Sequence, residues 1–191
     1  MADRPGAVED VERMKFSETD LRGAYIIDLE PVRDERGSFA RAFCGNEFEQ
    51  HGLKTAFVQG NISSSKEAGT LRGLHYQTPP YEEAKLICCI RGALLDVIID
   101  LRTGSPTYLR WTAVELTADN RRMLYAPEGF AHGYQTLAPD TEAFYWVTQF
   151  YHPESERAVR WNDPAFGIPW PLASPVLSAK DQSHPDFQQQ R

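Results

Sequence analysis

Apolar and polar positions alternate along this chain in short runs: "AYIIDL" (24–29), "GSFARAF" (37–43), "AFVQGNISSS" (56–65), "AKLICCIRG" (84–92), "ALLDVIIDLR" (93–102), "YLRWTAVEL" (108–116), "RMLYA" (122–126), "GYQTLA" (133–138) and "EAFYWVTQFY" (142–151). Each is rich in β-branched and aromatic residues, and turn formers such as "DERG", "RTGSPT", "TADN" and "APEG" punctuate them, which predicts a succession of strands. Helical periodicity is confined to "GNEFEQHGL" (45–53), with Gly52 placed to end it. Many short strands with almost no helix between them predict an all-β jelly roll, sandwich or barrel with a few short helices. Residues 1–13 read as an N-terminal extension, and residues 14–191 as one domain whose strand pattern becomes clear near Leu21. The proline-bearing stretch 163–181 predicts an irregular, extended C-terminal segment over the sheets.

At 191 residues the chain is long enough for one substantial core. Its 41% hydrophobic and 25% charged content is that of a globular protein. A formal net charge of −7 argues against nucleic-acid and anionic-membrane partners, although a few arginines can still hold a small phosphate ligand. No apolar run resembles a signal core or a membrane span, so a cytoplasmic location is expected. Cys44, Cys88 and Cys89 form neither a disulfide set nor a zinc spacing. Strand alternation sends the last two to opposite faces, as small buried hydrophobes.

Two short motifs carry candidate chemistry. "PEGFAH" sets His132 after a turn containing Pro127 and Gly129, and "LRGLHYQ" sets His75 upstream. Their order and separation resemble the two motifs of a cupin. Metal-binding cupins supply His-x-His in the first motif, whereas here it reads His75-Tyr76-Gln77, and glutamine is a poor ligand for a transition metal. A set of His75, Glu82 or Glu83, and His132 is the remaining metal reading. A lone strand histidine is most simply a satisfied core residue, and a lone lysine such as Lys85 an exposed one. Arg72, His75, Tyr76 and Lys85 nevertheless crowd one stretch, more polar groups than a packed strand can use.

Seven segments taken together resemble one family, the dTDP-4-dehydrorhamnose 3,5-epimerases, which are metal-independent cupins acting on nucleotide-linked 4-keto-6-deoxy sugars. The segments are "DERGSFARAF", "FVQGNIS", "GTLRGLHYQTPP", "AKLICCIRGALLDVIIDLRTGSPT", "PEGFAHGYQTL", "YHPESERAVRWNDPAFGIPWP" and "LSAKD", in family order from about residue 14 to about residue 181. The resemblance implies His75 as general base, Asp181 as its partner, Tyr145 as acid and Lys85 as the group facing the C4 oxygen. It further implies Arg36 and Arg72 on the diphosphate and Phe39 and Tyr151 near the nucleobase. Gln59, Asn61, His132, Glu156 and Lys180 are implied to bind or orient the ligand. No metal and no cofactor are implied, and a homodimer in which one subunit lends residues to the other's pocket is. The chemistry is coherent: a C4 ketone acidifies the hydrogens on C3 and C5, a histidine removes one to leave an enolate, and a tyrosine reprotonates the opposite face.

Four positions depart from the family pattern. Gly60 stands where many relatives carry aspartate, Arg41 where some have glutamate, Trp146 where lysine is common and Ser38 where an aromatic is frequent. Epimerisation at C3 alone would use the same histidine and tyrosine, so the sequence leaves it open. A 3,4-ketoisomerase is disfavoured by Tyr145, and a metal-dependent cupin oxygenase and a non-catalytic sugar-binding module remain as readings from other classes.

Overall fold

The computed structural model describes residues 14–188, and the expected extension 1–13 lies outside them. In chain order the elements are β1 (Met14–Glu18), β2 (Tyr25–Leu29), β3 (Val32–Asp34), β4 (Gly37–Phe39), α1 (Gly45–Gln50), β5 (Gln59–Ser65), β6 (Leu71–Gln77) and β7 (Lys85–Arg91). There follow β8 (Ala93–Asp100), β9 (Trp111–Thr117), β10 (Met123–Ala126), β11 (Phe130–Thr136), β12 (Thr141–Val147), β13 (Glu156–Ala158) and α2 (Ala179–Gln182). They build a cupin-type jelly roll: a six-stranded sheet ordered β1-β2-β10-β7-β12-β5 faces a five-stranded sheet ordered β13-β6-β11-β8-β9, with β3 and β4 as a separate hairpin.

Period-two alternation explains the layering. On β8, Leu94 and Ile98 point between the sheets and join Ile87, Leu116, Leu124, Phe130 and Ala143 in a fully buried cluster. The alternate residues Val97 and Ile99 face outward and are covered by Val159, just after β13, and by Phe166, Ile168 and Trp170 of the C-terminal segment. That segment therefore seals the back of the five-stranded sheet. Helix α1 does the same for the six-stranded sheet: Phe48, fully buried, packs against Met14, Ile27, Leu86 and Met123. The helix ends where expected, Gly52 adopting φ +70° beyond its last turn.

Cys88 joins the outer cluster and Cys89 the inner one, as alternation requires. Both are free thiols, and burial pushes the Cys88 thiol up to about 11, so neither carries thiolate chemistry at neutral pH.

Two elements differ from the sequence expectation. Met14–Glu18, read as patternless, pairs along its whole length with β2, its main chain anchored where Met14 N–H donates to Glu47 at 3.1 Å. β6 falls in 66–83, outside the runs that predict strands, and its pairing with β11 changes register between His132 and Tyr134. Strict alternation would send Arg72 and His75 to opposite faces. The register change sets Arg72 opposite the inward-facing Tyr134 and His75 opposite His132, so both line the interior. The backbones approach closely there: a Cβ on Gly73 would lie 2.5 Å from Gly133 Cα and 2.7 Å from His132 O, and Gly73 holds φ +116°, which only glycine adopts without strain.

Candidate active site

Residues of both sheets border a cavity of two adjoining lobes, about 240 and about 320 Å³, which share His75, Lys85 and Tyr145. Lys85 faces inward because it shares strand parity with Ile87 and Cys89 on β7. His75 comes from the five-stranded sheet, Tyr145 and Lys85 from the six-stranded one. The smaller lobe adds Gln59, Asn61, Tyr151 and Glu156, the larger adds Arg72, His132, Lys180 and Asp181. Eleven of the thirteen residues singled out from sequence thus meet in one place.

Arg36 and Phe39 do not. They sit on the β3–β4 hairpin, where Phe39 is 72% exposed and the Arg36 side chain is 84% exposed, and neither borders either lobe. Arg36 pairs with Asp34 in the same hairpin.

His75 Nε2 lies 2.7 Å from Asp181 Oδ1, and the other carboxylate oxygen accepts from Ser178 Oγ at 2.8 Å. Ser178 also caps α2, accepting from the Asp181 N–H at 3.0 Å, so one short helix fixes the carboxylate. Burial pushes the Asp181 carboxyl up, but hydrogen bonds from His75 and Ser178 outweigh it and hold it below the usual carboxylate range. The pair bonds the His75 ring only at Nε2, leaving Nδ1 for a ligand.

Lys85 Nζ is 3.1 Å from Glu83 and 3.4 Å from the His75 carbonyl oxygen. Burial first, then the Glu83 charge, raise the Tyr145 hydroxyl above its ordinary range, against a lowering pull from Arg72; it is a proton donor at neutral pH. Arg72 is steadied by the Ser64 carbonyl at 3.2 Å. At the rim Glu156 Oε2 accepts from Tyr151 Oη at 2.7 Å and Lys180 Nζ at 2.6 Å. Deeper in, His132 Nε2 meets Asp96 Oδ1 at 2.7 Å.

The metal set considered from sequence does not assemble. Glu83 is paired with Lys85, His132 with Asp96, and Glu82 borders a different cleft. Gln77, in the second-ligand place, is 4% exposed and stitches loops together, donating to Tyr81 O and Phe150 O and accepting from His152 N–H at 2.6 Å. The other cleft, about 440 Å³ and open, is bordered by Tyr25, Lys54, Arg102 and Glu128. Its charges pair locally, Lys54 with Glu128 and Arg102 with Asp100, and it holds none of the thirteen residues. Sequence reasoning missed Ser178, Asp96 and His184; His184 borders Asp181 with Nε2 at 3.9 Å, and burial and then His75 lower it below the ordinary imidazole range.

Two of the four departures prove to be partners. Gly60 and Trp146 are directly opposed across β5 and β12, on the outer face. A Cβ on Gly60 would already touch Phe144 at 3.3 Å and Trp146 at 3.5 Å. Ser38 accepts from Arg121 Nη1 at 3.2 Å and Arg41 pairs with Glu47 at 2.5 Å. None of the four borders the cavity.

A jelly roll enclosing a polar cavity bordered by His75, Asp181 and Tyr145 is the architecture of a cupin-type protein. Residues 18–189 match the dTDP-4-dehydrorhamnose 3,5-epimerase family. A dTDP-4-dehydrorhamnose 3,5-epimerase of Sinorhizobium fredii is 42% identical over 179 residues, 93% of this chain and 92% of that protein. A crystal structure of the Bacillus anthracis enzyme of that name, with TDP and PPi bound, superposes with a TM-score of 0.88 at 44% identity, covering 91% of this chain and 99% of that one. A dTDP-6-deoxy-D-glucose-3,5-epimerase from Legionella pneumophila, solved with dTDP-4-keto-L-rhamnose, gives 0.83 at 37% identity over 92% and 99% of the two chains. The chain therefore belongs to the dTDP-4-dehydrorhamnose 3,5-epimerase family and is an epimerase, an enzyme of the isomerase class. Among the described residues no helix is long and apolar enough to cross a membrane.

Proposed function

We propose that the protein inverts C3 and C5 of a dTDP-linked 4-keto-6-deoxyhexose, converting dTDP-4-dehydro-6-deoxy-D-glucose to dTDP-4-dehydro-L-rhamnose. The observation that carries the reading is the opposition of His75 and Tyr145 on facing sheets of one cavity, because inversion needs a base and an acid on opposite faces of the sugar. His75 Nδ1 takes the proton from C3 or C5, while Nε2–H donates to Asp181, which holds the tautomer and steadies the imidazolium. Lys85 stabilises the enolate oxygen at C4. Tyr145 returns a proton from the other face.

Arg72 takes the diphosphate, where its guanidinium matches phosphate geometry. Tyr151, Glu156, Lys180, Gln59, Asn61 and His132 orient the rest of the ligand. Arg36 and Phe39 are exposed on their hairpin, a placement that supports a homodimer in which each hairpin completes the partner subunit's pocket. No cofactor enters this scheme, since the ketone itself acidifies both carbons. A cytoplasmic enzyme fits the sugar-nucleotide substrate.

The test is incubation with the 4-keto sugar nucleotide in deuterated water, followed by NMR. Deuterium at both C3 and C5 supports the reading. Deuterium at C3 alone replaces it with single epimerisation, and none at either carbon ends it. Full exchange by a His75→Ala variant would remove His75 as the base.

A further inference from the structure

His184 lies against Asp181 just outside the residues that border the cavity, and the proposed reaction leaves it unused. It lies past α2 in chain assigned to no strand or helix, and its Nε2 is buried with no hydrogen-bond partner. A buried imidazole nitrogen in that condition calls for an explanation. It sits 3.9 Å from Asp181 Oδ1, the same oxygen that meets His75 Nε2 at 2.7 Å. One ligand atom from each of His75, Asp181 and His184 can be chosen so that all lie within 4.8 Å of one another. Two imidazoles and one carboxylate are the donor set of an open zinc site.

We propose that His75, Asp181 and His184 bind a divalent transition metal, zinc being the type ion, and that this metal inhibits the enzyme. The inhibition rests on His75 being the base. Zinc bonds to imidazole nitrogen and carboxylate oxygen at roughly 2.0–2.2 Å, so three tetrahedrally arranged donors stand roughly 3.3 Å apart. The 2.7 Å His75–Asp181 contact must open slightly and the 3.9 Å His184 contact close. His184 can make that shift without breaking a strand ladder or a helix. The protons balance without a co-reactant. In the free enzyme the single proton of neutral His75 sits on Nε2, donated to Asp181, and Nδ1 carries the lone pair. A metal on Nε2 displaces that proton, the neutral ring keeps it on Nδ1, and the nitrogen that accepted the substrate proton becomes a donor. Ser178 Oγ still holds the second oxygen of Asp181, as an outer partner of a ligating carboxylate does.

The experiment titrates chelator-treated protein with zinc by calorimetry, with cobalt as a spectroscopic probe, and measures deuterium exchange in parallel. One zinc per chain is expected, with exchange lost on loading and restored by chelator. His184→Ala should keep metal-free turnover within about two-fold. Its zinc affinity and its inhibition midpoint should both weaken by at least ten-fold, because losing a ligand costs no less than losing an outer partner of one. His184→Cys, which returns a ligand, should recover most of both. Equal zinc affinity in wild type and His184→Ala, or a cobalt spectrum unchanged by that substitution, overturns the site. Zinc bound in a His184-dependent way while exchange continues would uphold the site and instead remove His75 as the base.

Discussion

Asp181→Asn keeps the shape of the side chain that holds His75 and removes its charge, so it isolates what the carboxylate does. Asp181 is 5% exposed and the His75 side chain 32% exposed, a pair sheltered on one side only. Replacing a charge-assisted hydrogen bond with a neutral one costs about 1 to 1.5 kcal/mol. The attraction between a carboxylate and an imidazolium about 4 Å apart adds at most about 4 kcal/mol near a protein surface. Solvent at the open side takes up part of that, leaving about 2 to 3 kcal/mol lost when the imidazolium forms. This corresponds to a roughly 30- to 150-fold fall in kcat. The amide can also turn its NH2 toward His75, which forces the proton to Nδ1 and adds to the loss. KM should move little, because the interaction is made mainly after proton transfer. The assay is deuterium incorporation under saturating substrate, with a thermal melt to show that Ser178 still caps α2. A variant with kcat within three-fold of wild type would refute the role given to Asp181.

Tyr145→Phe should still exchange solvent deuterium, since the base is untouched, while inverted product falls by at least about ten-fold; loss of both together would show that the hydroxyl serves deprotonation. Gly73→Ala places a methyl 2.5 Å from Gly133 Cα at φ +116°, and should cost more than about 3 kcal/mol in denaturant unfolding or leave the chain insoluble; a shift under about 1 kcal/mol would contradict the close approach. Asp100 is pushed up by burial, but bonds from Arg102, Ser105 and Thr107 outweigh this and hold its carboxyl below the usual range. A depressed folded value means stability that is present above the unfolded carboxylate range and lost as pH falls through the folded one. The denaturant midpoint should therefore drop on acidification below about pH 4, and drop less in Asp100→Asn, which starts lower at neutral pH; parallel pH curves would argue against the linkage.

The legible parts of the fold were those in which period-two alternation survives intact. β7, β8 and β12 each have one face in a buried cluster, and their patterns read directly. β6 did not read as a strand because Gly73 interrupts it and the register change sets residues three apart on one face. That irregularity is also what brings Arg72 and His75 together, so the feature that hid the strand is the one that builds the site. Asp181 lies 106 positions from His75, and no local pattern joins them; its assignment came from the motif "LSAKD" alone. His184 had no signal of any kind. Its place follows from the C-terminal segment being drawn across the five-stranded sheet by Phe166, Trp170 and Phe187, a tertiary consequence that spacing cannot express.

The departures from the family pattern make the same point in reverse. In sequence, Gly60 and Trp146 stand as two separate departures. In the structure they are a cross-strand pair on the outer face, where an aspartate opposite a lysine would form a charged pair. An exposed ion pair of that kind contributes only about 0.2–1 kcal/mol. The indole packs edge to face on Phe144, with centroids 4.2 Å apart, and such pairs contribute about 0.5–1.5 kcal/mol beyond the area they bury. The absence of a Cβ at Gly60 leaves those rings room. Neither residue borders the cavity, so exchanging both at once should alter stability or association rather than turnover. Gly60 and Trp146 are therefore separate from the positions proposed to carry the chemistry, whereas Ser38 shares the β3–β4 hairpin with Arg36 and Phe39.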